Sequence, residues 1–144
     1  MRNFGARMVA VSIRLTHIHA ERLVEKPPTT LGVNIQISLP SAEPTWGSVE
    51  ARIPFSFNLS TAPPAFTVTL RGYVEVKATE RDIKGIKESV RKGSPPPEIT
   101  NAVTNFTVFE AVLLARELGF PPILPLPTPP SRKQSVRQGP IGPV

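Results

Sequence analysis

A chain of 144 residues, 40% of them hydrophobic, can form one domain that buries about two-thirds of its unfolded surface. The absence of cysteine excludes disulfides, zinc–thiolate sites and a cysteine nucleophile. The formal net charge is +6, and residues 131–144 contribute three cations and no acid, which leaves +3 for the body. Arg14 interrupts the N-terminal apolar segment too early for a signal peptide, and no apolar run reaches the roughly 18 residues of a membrane span. We therefore expect a cytoplasmic protein without membrane insertion.

Four β-strands are predicted in the first half of the chain. Apolar and polar residues alternate over long stretches, which is typical of strands with one buried and one exposed face. The linkers between them are too short for a crossover helix, so neighbouring strands should be antiparallel. The four stretches lie at residues 9–15, 31–39, 49–59 and 66–77.

Two positions disturb this regularity. In the first strand the apolar phase slips near Ile18 and Ala20, which is compatible with a β-bulge. In the third strand Pro54 lacks a backbone N–H donor. We therefore expect the third strand to lie at an edge of the sheet or to bulge at Pro54.

The period changes to that of an α-helix after the fourth strand. Ile83, Ile86 and Val90 form one apolar stripe of a short amphipathic helix. Thr79 is suited to cap its start, and Gly93 followed by three prolines ends it.

A second helix is predicted from about Glu98 to Leu118. Its apolar residues fall on two stripes, so it should be buried on two sides. One sheet and one short helix cannot cover both stripes within one subunit. We therefore expect part of this helix to meet another subunit, in a dimer or tetramer, or a client. One stripe holds Ile99, Ala102, Val103, Phe106, Phe109 and Leu113, and the subunit interface is assigned to Val108, Ala111, Val112 and Ala115 of the other.

Together these elements define an α+β fold, a four-stranded antiparallel sheet followed by two C-terminal helices. They form a single domain over residues 1–120. Residues 121–144 are a proline-rich, basic tail, which we expect to be extended and mobile without a core of its own.

Residues 83–118 carry a specific order of features. A helix ends at Gly93, a proline-containing link follows, and Asn105-Phe106 lies in the last long helix with Phe109 close behind. Placed after four antiparallel strands, this order resembles the SecB family of protein-export chaperones. The resemblance implies an oligomeric holding chaperone that binds unfolded polypeptides in apolar grooves without ATP or a cofactor. Because this chain is basic and the bacterial export chaperones are acidic, the holding activity transfers more readily than docking to the export motor.

A holding chaperone needs an exposed apolar track with aromatic anchors and polar rims. A lone loop tryptophan more often closes the edge of its own core than binds a client, so both interpretations stay open for Trp46. Phe55 and Phe57 are in phase with the buried face of their strand and are interpreted as structural. The client-binding candidates are Trp46, Phe66, Phe4 and Phe120.

No enzyme activity is predicted, because the sequence shows no paired carboxylates, phosphate-binding glycine loop or nucleophile elbow. His17, His19 and Glu21 would share one face of a strand and could form a metal site of two histidines and one carboxylate. A solvent-exposed strand end is the favoured interpretation, and no metal is assigned.

Nucleic-acid binding is the alternative function. It would use the basic tail and six cations of the body. We do not favour it, because aromatic stacking positions are scarce and no recognised nucleic-acid motif is present. The six cations are Arg71, Lys77, Lys84, Lys87, Arg91 and Lys92.

Overall fold

The computed structural model describes residues 9–121, so Phe4 and the proline-rich tail after residue 121 lie outside the described residues. The described chain is an antiparallel sheet followed by two C-terminal helices, which confirms the predicted α+β class. The elements are β1 (Ala10–Arg22), β2 (Gly32–Ser38), β3 (Thr45–Trp46), β4 (Glu50–Ala62), β5 (Phe66–Lys77), α1 (Glu80–Arg91) and α2 (Pro97–Glu117).

In the described residues the sheet contains five strands, one more than the four predicted. The main strands are hydrogen-bonded in the order β1-β5-β4-β2, and β3 pairs with β4 outside this path. β3 runs antiparallel to β4, with Thr45 opposite Arg52 and Trp46 opposite Ala51. A strand of two residues is too short to show a period of two, so the sequence pattern could not predict it.

Both expectations for Pro54 were wrong. β4 lies between β5 and β2 and is not an edge strand. Burial alternates without interruption along β4, so the strand does not bulge. The Pro54 carbonyl accepts a hydrogen bond of 2.9 Å from the N–H of Ser41, a loop residue. Since the N–H and C=O of one strand residue point to the same side, the missing donor would face this loop. The proline is tolerated because a loop is its neighbour there.

The predicted change of phase in β1 is observed. The half-buried residues Val11, Ile13 and Leu15 have odd numbers, whereas the next half-buried residue, Ala20, has an even number, so the inward face has changed phase. The strand nevertheless continues from Ala10 to Arg22.

The described chain divides into two compact units inside the predicted domain. The first unit contains residues 9–16, 38–56 and 71–103, and the second contains residues 17–37, 57–70 and 104–121. The core of the first unit includes Ile53, Phe55, Val74, Val76, Ile83, Ile86, Val90, Ile99 and Val103. The core of the second unit includes Leu31, Val33, Phe57, Leu59, Phe66, Val68, Leu70, Ala111, Ala115 and Phe120.

α1 forms as its sequence predicts. The Thr79 side chain caps the helix by accepting a hydrogen bond of 3.1 Å from the N–H of Asp82. The predicted stripe of Ile83, Ile86 and Val90 is buried. Just beyond the helix, the N–H of Gly93 donates to the Val90 carbonyl at 3.0 Å.

α2 is buried along a different line from either predicted stripe. The buried residues are spaced by four along the whole helix, which corresponds to one ridge of helical packing. The bulky Phe106, Phe109 and Leu113 of the first predicted stripe lie outside this line. On a helix that is apolar around most of its girth, hydrophobicity alone cannot select the inward side. The buried line is Ile99, Val103, Thr107, Ala111 and Ala115.

Candidate functional site

Two of the predicted client-binding residues belong to the core of the second unit. Phe66 and Phe120 are both buried, and their ring centroids are 4.6 Å apart. Phe66 occupies a buried position of β5, while Phe120 follows α2 and donates its N–H to the Ala115 carbonyl at 3.0 Å. Neither ring is available to a client on the folded surface, so both assignments are corrected.

The position of Phe120 is fixed by an arginine that sequence reasoning did not identify. Arg22 lies with its guanidinium carbon 5.0 Å from the centroid of the Phe120 ring. Its Nη1 donates to the Leu118 carbonyl at 2.6 Å, and its Nε donates to the Val24 carbonyl at 2.7 Å. Gly119 adopts a φ of 89°, which a side chain would strain, and a Cβ there would lie 2.6 Å from Arg22 Nη1. The positive φ explains the glycine, because the arginine end could move away from a Cβ but the backbone conformation would remain strained.

Trp46 lies on the margin of the core of the first unit. It pairs with Ala51, and side chains directly opposite each other in an antiparallel pair share one face of the sheet. Because Ala51 is buried, Trp46 faces the core side, where it is half-buried. Val49 lies just before β4 and continues the alternation of the buried residues of that strand. Its side chain is nevertheless 54% exposed. We call Trp46 and Val49 the core margin. Its partly open apolar surface is where the first unit could contact an apolar ligand.

A second apolar surface lies on the side of α2 opposite its buried line. Phe109 is two residues from both Thr107 and Ala111, which places it about 160° around the helix from each. Its side chain is 49% exposed. We call Phe106, Phe109, Val112 and Leu113 the outer face of α2. The other three members are half-buried.

Only two of the four residues predicted for the subunit interface keep exposed surface. Ala111 and Ala115 are buried in the core of the second unit and cannot meet a second subunit from there, which corrects their assignment. Val108 and Val112 are half-buried and keep part of their surface. Small side chains permit the close packing of an inward helix face. Thr107, Ala111 and Ala115 follow this rule, but Ala102 lies half-buried off the buried line, so small size alone would not have identified the inward side.

The histidine-rich end of β1 is exposed, and one of its histidines lies near the neighbouring acid. His19 Nε2 lies 3.5 Å from Glu21 Oε1, and both side chains are exposed. Within residues 9–121, no group of three histidine or acidic side chains is arranged to hold a metal ion. The geometry is that of an exposed strand end.

The polar face of the first unit carries a charge pair. Arg52 Nη2 lies 3.7 Å from Glu75 Oε2, and its guanidinium carbon is 4.8 Å from the Tyr73 ring centroid. These contacts join adjacent strands β4 and β5. The three side chains therefore make cross-strand contacts that stabilise the sheet, and this explains their arrangement.

No family model, curated protein or solved structure matches this chain. Among residues 9–121, neither helix has the length and apolar character needed to cross a membrane.

Proposed function

We propose that this protein is an ATP-independent holding chaperone, related in its order of elements to the SecB family, that binds unfolded polypeptides. The observation that carries the proposal is apolar surface that the described residues leave exposed. Val49 and Phe109 are 54% and 49% exposed, and Phe109 lies among half-buried apolar side chains of the same helix. The order of the elements and the features of residues 83–118 add support from the sequence.

The outer face of α2 is the part of this surface that suits a second copy of the chain. It presents Phe109 between half-buried apolar neighbours on a regular helix of 21 residues. A rigid helical face with an aromatic centre can pair with the same face of another subunit about a two-fold axis. The proposed assembly is a dimer or a tetramer. Phe109 and Leu113 are assigned to its interface in place of Ala111 and Ala115, which are buried.

The core margin is the part that suits a client. Trp46 provides a large apolar area with a polar N–H, and Val49 extends the apolar surface. The exposed Thr45 and Glu50 are neighbours in the chain, but their side chains lie on the opposite, polar face of the sheet. An extended segment of an unfolded chain could place apolar side chains here. Binding the unfolded form alone shifts the folding equilibrium by mass action, so no ATP is required.

The proposal is tested by light scattering from a chemically denatured client that is diluted in increasing amounts of this protein. We expect the final scattering to fall with the amount of chaperone. Suppression should persist or strengthen at high sodium sulfate concentration, because such salts favour apolar burial. A molar-mass measurement on the same samples tests assembly. If the client aggregates equally with and without this protein at both salt concentrations, the chaperone proposal is excluded.

A further inference from the structure

The positive charge of this protein is concentrated in two short segments. Residues 77–92 hold six Lys or Arg and three Asp or Glu, and residues 131–144 hold three Lys or Arg and no acid. The whole chain has 17 basic and 11 acidic residues, so all other positions together hold eight of each sign. The net charge of +6 therefore arises entirely from α1 with its flanks and from the C-terminal segment.

The cations of α1 lie on the side away from its buried stripe. Ile83, Ile86 and Val90 are buried, while one face of the helix is exposed. Two acids also lie along the exposed side, Glu80 and Glu88. We call the exposed cations the basic face of α1, and they are Arg81, Lys84, Arg91 and Lys92.

The basic face is not neutralised by ion pairs among residues 9–121. In the part of the chain that the structure describes, none of Arg81, Lys84, Arg91 and Lys92 lies within ion-pair distance of an acid. Glu80 and Glu88 lie at helical spacings from Lys84 and Lys92 that permit pairing, yet neither makes such a contact. The four cations are thus free to bind an external anion.

Gly85 lies within the exposed side of α1 and has no structural explanation there. It is exposed, and a Cβ built on it would meet nothing within 4 Å. Glycine in a helix interior is less stable than alanine, and no turn or close contact among the described residues requires it. Its missing side chain leaves the helix backbone open beside Arg81, which lies one turn earlier on the same face.

We propose that the basic face of α1 binds the phosphate backbone of nucleic acid, with Gly85 allowing the backbone to approach the helix. Lys and Arg without aromatic neighbours on the same face offer charge contacts but no stacking. A partner held by charge alone needs dense negative charge that does not depend on its sequence. The phosphodiester backbone has this property, so binding is independent of base sequence. This activity is separate from client holding, which depends on apolar surface.

The test measures fluorescence anisotropy of a labelled 20-nucleotide uridine RNA with the full chain at increasing salt. Each phosphate contact contributes about −0.9 (duplex) or −0.7 (single strand) to the slope of log K against log salt. For this single-stranded probe, three to four contacts then weaken binding by roughly 20- to 50-fold between 50 and 200 mM salt. A uridine RNA and an adenosine RNA of equal length should bind within a few-fold of each other.

Matched charge reversals locate the contact. The variant Arg81→Glu/Lys84→Glu/Arg91→Glu should lose at least tenfold in RNA affinity. The control Arg132→Glu/Lys133→Glu/Arg137→Glu changes the net charge by the same amount and should retain affinity within about threefold of the wild type. Gly85→Gln keeps all charges and fits the open space, so it should weaken binding several-fold without loss of folded structure in circular dichroism.

Three results would overturn the proposal. The first is loss of RNA binding in the tail variant with retention in the α1 variant, which assigns the contact to the tail. The second is RNA binding that does not change with salt. The third is equally tight binding of poly-glutamate of the same charge, which would assign the face to an acidic protein partner.

Discussion

The guanidinium of Arg22 stacks on Phe120 and at the same time caps the end of the helix that precedes Phe120. The guanidinium carbon is 5.0 Å from the ring centroid, and Nη1 donates to the Leu118 carbonyl at 2.6 Å. The two bonded residues are 96 positions apart in the sequence. One side chain of the second unit thus joins the end of β1 to the C-terminus of α2.

Removal of this side chain should destabilise the protein. Arg22→Ala loses hydrogen bonds from a charged donor, each of which contributes about 1.5–3 kcal/mol when sheltered. Because the bonds are solvent-exposed, we expect a total loss of about 1–3 kcal/mol in the free energy of unfolding. Urea denaturation measures it. Arg22→Lys should be nearly as unstable, since lysine cannot reproduce the planar fork. Arg14→Ala, at an exposed position of the same strand, is the control and should change the stability by less than about 0.5 kcal/mol.

Gly72 should not tolerate a side chain. A Cβ there would overlap the carbonyl oxygen of Arg14 and lie 2.9 Å from the Leu15 Cα. Both neighbours are backbone atoms, so the strands must separate. We expect Gly72→Ala to cost about 1–3 kcal/mol in the free energy of unfolding, measured by thermal or urea denaturation.

The same substitution at Gly85 provides the contrast, because nothing lies within 4 Å of its Cβ position. Gly85→Ala should raise the free energy of unfolding by about 0.5–1 kcal/mol. Equal effects at the two glycines would contradict the close approach of β1 and β5 at Gly72.

The hydroxyl of Thr61 should be essential to the turn between β4 and β5. Its Oγ1 donates to the Pro63 carbonyl at 2.9 Å and accepts from the N–H of Ala65 at 2.7 Å. Thr61→Val keeps the shape but leaves the buried N–H of Ala65 without this acceptor. We expect a loss of about 1–3 kcal/mol in denaturation experiments. Thr61→Ser retains the hydroxyl and should lose clearly less than the valine variant.

Phe109→Asp should weaken self-association if the outer face of α2 forms the subunit interface. Burying a phenylalanine contributes about 1.5–3 kcal/mol, so the dissociation constant should rise roughly 10- to 100-fold. Sedimentation or light scattering over a range of concentrations measures it. Thr100→Asp introduces the same charge at an exposed position of α2 outside this face and should leave the molar mass unchanged. An unchanged molar mass in both variants would place the interface elsewhere.

Trp46→Ala/Val49→Ser should impair client holding. Loss of the core margin removes the proposed apolar contact, so we expect roughly tenfold more protein to be needed for half-maximal suppression of client aggregation. Trp46 is the only tryptophan of the chain, so its emission in the wild type should shift to shorter wavelength as client is added. Ile18→Ser is a matched control, because Ile18 is also 54% exposed but lies in the second unit. Equal impairment by this control would mean that exposed apolar surface acts without a defined site.

The sequence by itself determined the elements whose signals are local. Alternation predicted the long strands, and the Thr79 cap with its stripe of Ile83, Ile86 and Val90 predicted α1. These predictions succeeded because a period of two or 3.6 and a cap depend only on neighbours along the chain. The phase change in β1 was visible for the same reason.

Only the tertiary structure decided which neighbours each element has. It placed Pro54 beside a loop, turned Phe109 outward, and buried Phe66 against Phe120. The Arg22 contact with the end of α2 joins residues 96 positions apart, and no local pattern encodes such a distance. An apolar side chain has the same hydrophobicity on either side of a helix. Whether it closes a core or remains available to a partner depends on the surfaces that three-dimensional packing brings next to it.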